Sequence, residues 1–160
     1  MNERVKPTRT EQARGGVQQD YVSLVVAGQW FGIPVLAVQD ILGPQRITRI
    51  PLAPREVAGS LNLRGRIVTA IDVRHRLGYP PRDNSKPAWS VVVDRGGELY
   101  SLLVDQVGEV LSLPGDLLER NLTTIDQKLR DVSEGIYRLD DKLLVVLAVQ
   151  PLLDLGKAAA

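Results

Sequence analysis

From Asp20 onward the chain is a series of short apolar runs: "YVSLVV", "WFGIPV", "AVQDIL", "RITRI", "GSLNL", "RIVTAIDV", "WSVVVD", "ELYSLLV", "GEVLSL", "EGIYRL" and "KLLVVLAV". Gly, Pro, Asn or Asp residues separate them. Alternation between apolar and polar positions lays one face of a strand on a core. Strands spaced this closely are the signature of an all-β sandwich or barrel. Helical spacing is confined to three short stretches, "DVRHRLG", "TTIDQKLRDV" and "PLLDLG". Residues 1–19 are polar, aperiodic and carry Gly15-Gly16, which predicts a flexible N-terminal tail. Residues 156–160 read as a short C-terminal tail.

The runs also repeat. "GSLNLRGRIVTAIDVRHRL" lies over "GIYRLDDKLLVVLAVQPLL" at a constant shift, so that Gly59 meets Gly135, Arg66 meets Lys142, Ile71 meets Leu147 and Leu77 meets Leu153. Each unit reads as an apolar strand, a tight polar turn (Arg64-Gly65 or Asp140-Asp141), a basic residue, a second strand and a short helix. "WFGIPVLAVQDIL" likewise lies over "LYSLLVDQVGEVL" without a gap, and a "SLVV" at Ser23 and a "SVVV" at Ser90 precede the two blocks. An internal duplication follows, with two similar β lobes, each of a size to close a small barrel, at about 20–78 and 88–150. The Pro-rich polar stretch 79–87 is the natural linker. Neither lobe alone buries much core, so the two are expected to pack together within one domain spanning 20–155.

Composition sharpens this picture. Only 4% of residues are aromatic against 44% hydrophobic, so the core must be mostly Val, Leu and Ile, which favour strands. The absence of cysteine removes disulfides, thiolate metal sites and cysteine nucleophiles, and suits a reducing cytoplasm. The polar start has no apolar segment of the secretory type, and no run approaches the ~20 apolar residues of a membrane span. A net charge of +1 argues against a dedicated polyanion binder. The distribution is uneven: eight Arg against Glu56 and Asp72 between Pro44 and Arg82, then nine acids against four bases between Asp94 and Glu134. That contrast reads either as a patchwork of solvated faces or as a polar-ended module suited to head-to-tail protein contacts.

The residues of catalysis are missing. His75 is the only histidine, lies between two arginines and reads as a helix surface residue. No second histidine completes a metal pair or a triad, and no glycine pattern makes a phosphate loop. Asp105 and Glu109 read as solvated carboxylates, with a groove-facing role as the alternative. A nucleic-acid-binding barrel needs an aromatic stacking face, and the basic segment holds only Tyr79. Apolar faces and turn-borne charges remain, the equipment of a protein-interaction module. Trp30 and Trp89 either pack over their own lobes or anchor an interface.

"FGIPVLAVQDIL", "RITRIP", "VAGSLNLRGRIVTAIDVRHRLG", "LLVDQVGEVLSL" and "EGIYRLDDKLLVVLAV" resemble, in order, the successive blocks of the CheW family of chemotaxis coupling proteins. The likeness runs from about Asp20 to Leu155, and the "NLRG.IV..ID.R..LG" block is its most specific piece. It implies two packed five-stranded SH3-like β-barrels with a few short helices and no catalytic activity, cofactor or metal. It implies an adaptor linking the cytoplasmic tip of methyl-accepting chemoreceptors to the regulatory domain of a CheA-type histidine kinase. Such an adaptor is cytoplasmic, recruited to membrane-associated receptor arrays, and open to ring assembly with the kinase. Carried over by position, Asp40 and Arg64 are the residues associated with receptor and kinase coupling, and Val38, Gly59, Asn62 and Gly65 shape the partner-binding groove. Three positions depart from the family pattern: Asp40 replaces the commoner Glu, Thr69 a frequent Pro, and Ala148 the usual Asp of the last strand. An adaptor of another kinase array, controlling pili or biofilm, is the alternative within the fold. A nucleic-acid-binding β-barrel is the alternative outside it.

Overall fold

Among the described residues there are ten strands: β1 (Gln18–Val26), β2 (Gln29–Pro34), β3 (Val38–Leu42), β4 (Val57–Leu63), β5 (Arg66–Asp72), β6 (Trp89–Arg95), β7 (Glu98–Val104), β8 (Gln106–Pro114), β9 (Ser133–Arg138) and β10 (Leu143–Leu147). Three helices of one turn or so join them: α1 (Val73–Leu77), α2 (Gln127–Arg130) and α3 (Val149–Leu152). The computed structural model describes residues 17–83 and 85–155. The expected tails at 1–19 and 156–160 therefore lie mostly outside the described residues. Gln18 and Gln19 do not belong to a tail, because they pair with Pro114 and Leu113 of β8. "RITRI" is not a strand either: between Pro44 and Pro51 only Thr48 makes a bridge, to Ser60. The first two short helices fall within the stretches that the spacing marked; the third starts two residues before Pro151, at Val149, and ends at Leu152, short of most of "PLLDLG". Asp72 caps α1 by accepting from the His75 amide, and Gly78 ends it at φ +83.

The strands form two five-stranded sheets, in the orders β8-β1-β2-β10-β9 and β3-β6-β7-β5-β4. Exchanging each strand for its counterpart in the other half of the chain turns one order into the other. The register agrees as well: Val145 opposes Phe31 as Thr69 opposes Tyr100, and Gly135 opposes Val146 as Gly59 opposes Ala70. The first hairpins correspond two residues away from the sequence match. Tyr21 opposes Pro34 as Ser90 opposes Leu103, so Ser90 answers to Tyr21 and not to Ser23. A slip of two residues keeps every side chain on its face, so the apolar pattern is blind to it.

The duplication holds, but the lobes expected at 20–78 and 88–150 need correction. The first sheet takes β1 and β2 from the first half and β8, β9 and β10 from the second; the other sheet does the reverse. The cause is the length of the joints. Asp105 alone separates β7 from β8, and a 3-10 turn at Val35–Ala37 separates β2 from β3. A single residue cannot carry the chain back around its own sheet, so each third strand runs on into the other one.

Each sheet is closed by the segment after its crossing strand: Thr48 bridges Ser60 at one seam, and Glu119 bridges Ile136 at the other. One small core fills each barrel, with Tyr21, Leu111, Tyr137 and Leu144 in the first and Leu61, Val68, Ala70 and Leu103 in the second. The largest core lies between the sheets, where Leu24, Phe31 and Ile33 meet Ile71, Val91 and Leu102. Burying this shared layer on both sides makes the two barrels one folding unit.

Candidate interaction surface

The sequence-derived site residues gather at the seam of the second barrel. Asp40 lies on β3, one edge strand of its sheet, and Arg64 at the turn leaving β4, the other edge. Curling of the sheet brings them together, with Arg64 Nη2 3.0 Å from Asp40 Oδ2. The Arg64 side chain is 76% exposed and that of Asp40 25%, so the guanidinium is presented to solvent from a partly sheltered carboxylate. Ile41, whose amide donates to Asp40 Oδ1, leaves its own side chain partly exposed beside the pair. Val38, on the same strand, packs half-buried against the shared core.

The turn holds Arg64 in an uncommon conformation. Arg64 and Gly65 have φ of +51° and +85°, the pattern of a type I′ hairpin. Gly65 takes this conformation freely, whereas arginine gives up roughly 1–2 kcal/mol in it. Asn62 offsets part of that by accepting, through Oδ1, from the Gly65 amide at 2.9 Å. In the counterpart turn neither Asp140 nor Asp141 has a positive φ, so the two turns match in place but not in type.

Gly59 has a different task. Its φ is +149°, and a Cβ there would stand 2.2 Å from the Thr48 carbonyl oxygen. At its counterpart, Gly135, a Cβ would meet the Glu119 carbonyl oxygen at 2.7 Å. Both glycines let the closing segment cross the barrel. The structure thus brings Asp40, Asn62, Arg64 and Gly65 to one rim and gives Gly59 the role of shaping the backbone behind it.

A second ion pair was not legible as such. Asp105, expected as a solvated or groove-facing carboxylate, sits in the one-residue joint between β7 and β8. It takes three hydrogen bonds from the Arg74 guanidinium at 2.8–3.2 Å and one from the Ala27 amide at 2.7 Å. Arg74 also donates to the Pro80 carbonyl at 2.9 Å. One ion pair therefore ties α1, the β1–β2 turn, the linker and the crossing point together. Burial pushes the Asp105 carboxyl up. The hydrogen bonds from Arg74 and Ala27, with the charges of Arg74 and Arg82, outweigh it and hold the group below the ordinary carboxylate value. No local signal pairs Arg74 with Asp105, because the two are far apart in the chain and meet only across the fold. His75, the next residue on α1, stays exposed as expected. Among the described residues no helix is long and apolar enough to cross a membrane.

The chain as a whole is similar to known proteins. Residues 20–157 match the family model described as a CheW-like domain. A chemotaxis protein CheW of Helicobacter pylori is 24% identical over 152 residues, covering 89% of this chain and 90% of its own. One from Klebsiella aerogenes is 27% identical over 137 residues, covering 86% and 82%. The crystal structure of the scaffolding protein TtCheW from Thermoanaerobacter tengcongensis superimposes with a TM-score of 0.77 at 30% identity, over 86% of this chain and 94% of that one.

Proposed function

The chain belongs to the CheW family of chemotaxis scaffold proteins, and on that premise we propose that it is a non-catalytic adaptor coupling the cytoplasmic tip of methyl-accepting chemoreceptors to the regulatory domain of a CheA-type histidine kinase. The observation that carries this reading is the Asp40–Arg64 pair, a charged handle on the rim of the second barrel beside Val38 and Ile41. Arginine suits bidentate contact with a partner carboxylate, and its fork is held outward by a turn that Asn62 fixes. Receptor and kinase bound to one rigid body bias each other through it, which is a coupling free energy between two sites. The protein would act in the cytoplasm, recruited to receptor arrays at the membrane.

Pull-down with a purified kinase regulatory domain and a receptor cytoplasmic fragment tests the proposal. Both should be retained, and the folded protein retaining neither would undo it. Asp40→Lys or Arg64→Ala should change stability by no more than about 1 kcal/mol, since the guanidinium of the pair is largely exposed and solvent screens it. Capture of at least one partner should fall roughly tenfold, a loss of about 1.4 kcal/mol. Unfolding of either variant would make the pair structural instead.

The uneven charge supports ring assembly with the kinase. Part of it is neutralised internally, by Arg74–Asp105 and Arg138–Glu119. Arg46, Arg49 and Arg55 nevertheless crowd the connection between β3 and β4. Attraction between opposite charges weakens once the screening length drops from about 10 Å at 0.1 M salt to about 3 Å at 1 M. Kinase-domain affinity measured by calorimetry is expected to fall steeply over that range. A flat response would leave the charges without a part in assembly.

A further inference from the structure

The two barrels match in topology and differ inside. Strand register sets their inward positions side by side: Tyr21 with Ser90, Gly32 with Ser101, Tyr137 with Leu61, Leu144 with Val68 and Val146 with Ala70. The first barrel is filled by its two tyrosines. Their rings meet edge to face with 5.5 Å between centroids, and their hydroxyls lie 3.2 Å apart. Such a pair adds to what burial alone contributes. Trp30 packs against the same core from its margin, where the second barrel has Leu99.

The second barrel has no aromatic pair. Ser90, Leu61, Val68 and Ala70 are each smaller than the residue they answer to, and Ser101 for Gly32 and Leu103 for Pro34 restore only part of that volume. The hydroxyls of Ser90 and Ser101 are fully buried in this interior and have no hydrogen-bond partner among the described residues. Ser23 of the first sheet, by contrast, donates to the Glu109 carbonyl at 2.6 Å. A buried hydroxyl without a partner loses its hydration with no bond to offset it, and small side chains make fewer dispersion contacts. Both effects weaken the closed state of the second barrel and leave the first untouched.

The seams of the two barrels are alike. Thr48 and Ser60 exchange two backbone hydrogen bonds of 2.8 Å, and Glu119 and Ile136 exchange two of 2.8 and 2.9 Å. Each seam also carries one ion pair, Asp40–Arg64 or Arg138–Glu119. A difference in how readily they open therefore reports the packing behind them.

We infer that the second barrel is a compliant element, which opens locally along the Thr48–Ser60 seam while the first barrel stays closed. Asp40 and Arg64 stand on the two edges of that seam, so each opening parts them and reshapes the rim. Segments that must adapt to a partner are drawn from the less stable part of a fold. The opening is a property of the chain alone, and it stands or falls apart from what binds the rim.

Amide hydrogen exchange on the ¹⁵N-labelled full chain, read by NMR near neutral pH, tests this. After correction for intrinsic rates, protection at Thr48 and Ser60 should be lower than at Glu119 and Ile136 by about tenfold or more, and the amides of β4 and β5 should follow the seam. Ser101→Ala deletes one unpartnered hydroxyl with little change of size. It should raise protection at Thr48 and Ser60 by about threefold and leave Glu119 and Ile136 unchanged. Tyr137→Leu gives the first barrel the residue of the second and should lower protection at Glu119 and Ile136; if that variant does not fold, the parent chain and Ser101→Ala decide the matter. Equal protection at the two seams, or faster exchange at Glu119 and Ile136, would overturn the inference. So would weak protection confined to Thr48 and Ser60, with β4 and β5 as slow as β9 and β10, or a Ser101→Ala variant whose second barrel gains no protection.

Discussion

Gly59→Ala is expected to destabilise the protein by about 3–5 kcal/mol, in the range of substitutions that force a backbone apart. The new methyl would stand 2.2 Å from the Thr48 carbonyl oxygen and 2.8 Å from an Ile47 methyl, and φ of +149° suits only glycine. Relief requires the closing segment to leave Ser60, and with it both backbone hydrogen bonds between Thr48 and Ser60, each 2.8 Å long. Thermal melts followed by circular dichroism should show a drop of roughly 10–15 °C. Gly65→Ala provides the contrast. It lies in the same sequence block and has positive φ, but nothing stands within 4 Å of its missing Cβ. That variant should lose only about 1–2 kcal/mol. Equal losses at the two positions would remove the distinction between a glycine needed for close approach and one needed for a turn.

Asp105→Asn should be the second large effect, about 2–3 kcal/mol at neutral pH, because it leaves the sheltered Arg74 guanidinium without its charge partner. Both side chains are less than one-fifth exposed, so solvent screens the pair weakly. The pH dependence gives the sharper test. The folded-state pKa of Asp105 lies below its unfolded value, so the unfolded chain takes up the proton first as pH falls. The stabilisation is whole above the ordinary carboxylate value and drains away as pH drops through and below it. The melting temperatures of parent and Asp105→Asn should therefore differ most near pH 7 and converge below about pH 4. A gap independent of pH would mean that the carboxylate acts by shape alone. Since Asp105 also accepts from Ala27 and Arg74 donates to Pro80, loss of the pair should loosen the β1–β2 turn and the linker first. Hydrogen exchange at Ala27 reads that loosening directly.

Much of the fold is legible in the sequence because period-two alternation reports which residues face a core, and every run that it marks except "RITRI" falls on a strand. The duplication is legible for the same reason, and the equal registers of Thr69↔Tyr100 and Val145↔Phe31 carry it into space. Two mismatches mark the limit of such patterns. Ser23 aligns with Ser90 in the sequence but not in the fold, because a two-residue slip leaves the alternation intact. The lobes are not consecutive halves of the chain, because nothing in an apolar strand names its neighbour. The rim residues are legible as a sequence block, yet the meeting of Asp40 with Arg64 depends on two edge strands curling together. Gly59 and Arg64 sit five positions apart in that block and have unlike physical tasks, one set by a carbonyl behind it and the other by the turn beneath it.

The class of the fold, most strand positions, the duplicated unit and the short helix after β5 all follow from local sequence. They rest on periodicity and turn chemistry, which neighbouring residues settle among themselves. Two outcomes needed the folded chain: the exchange of strands between halves and the lock of Arg74 on Asp105 at the crossing point. Those outcomes depend on joints too short to turn back and on side chains brought together from distant strands. Such contacts exist only once the chain has closed on itself.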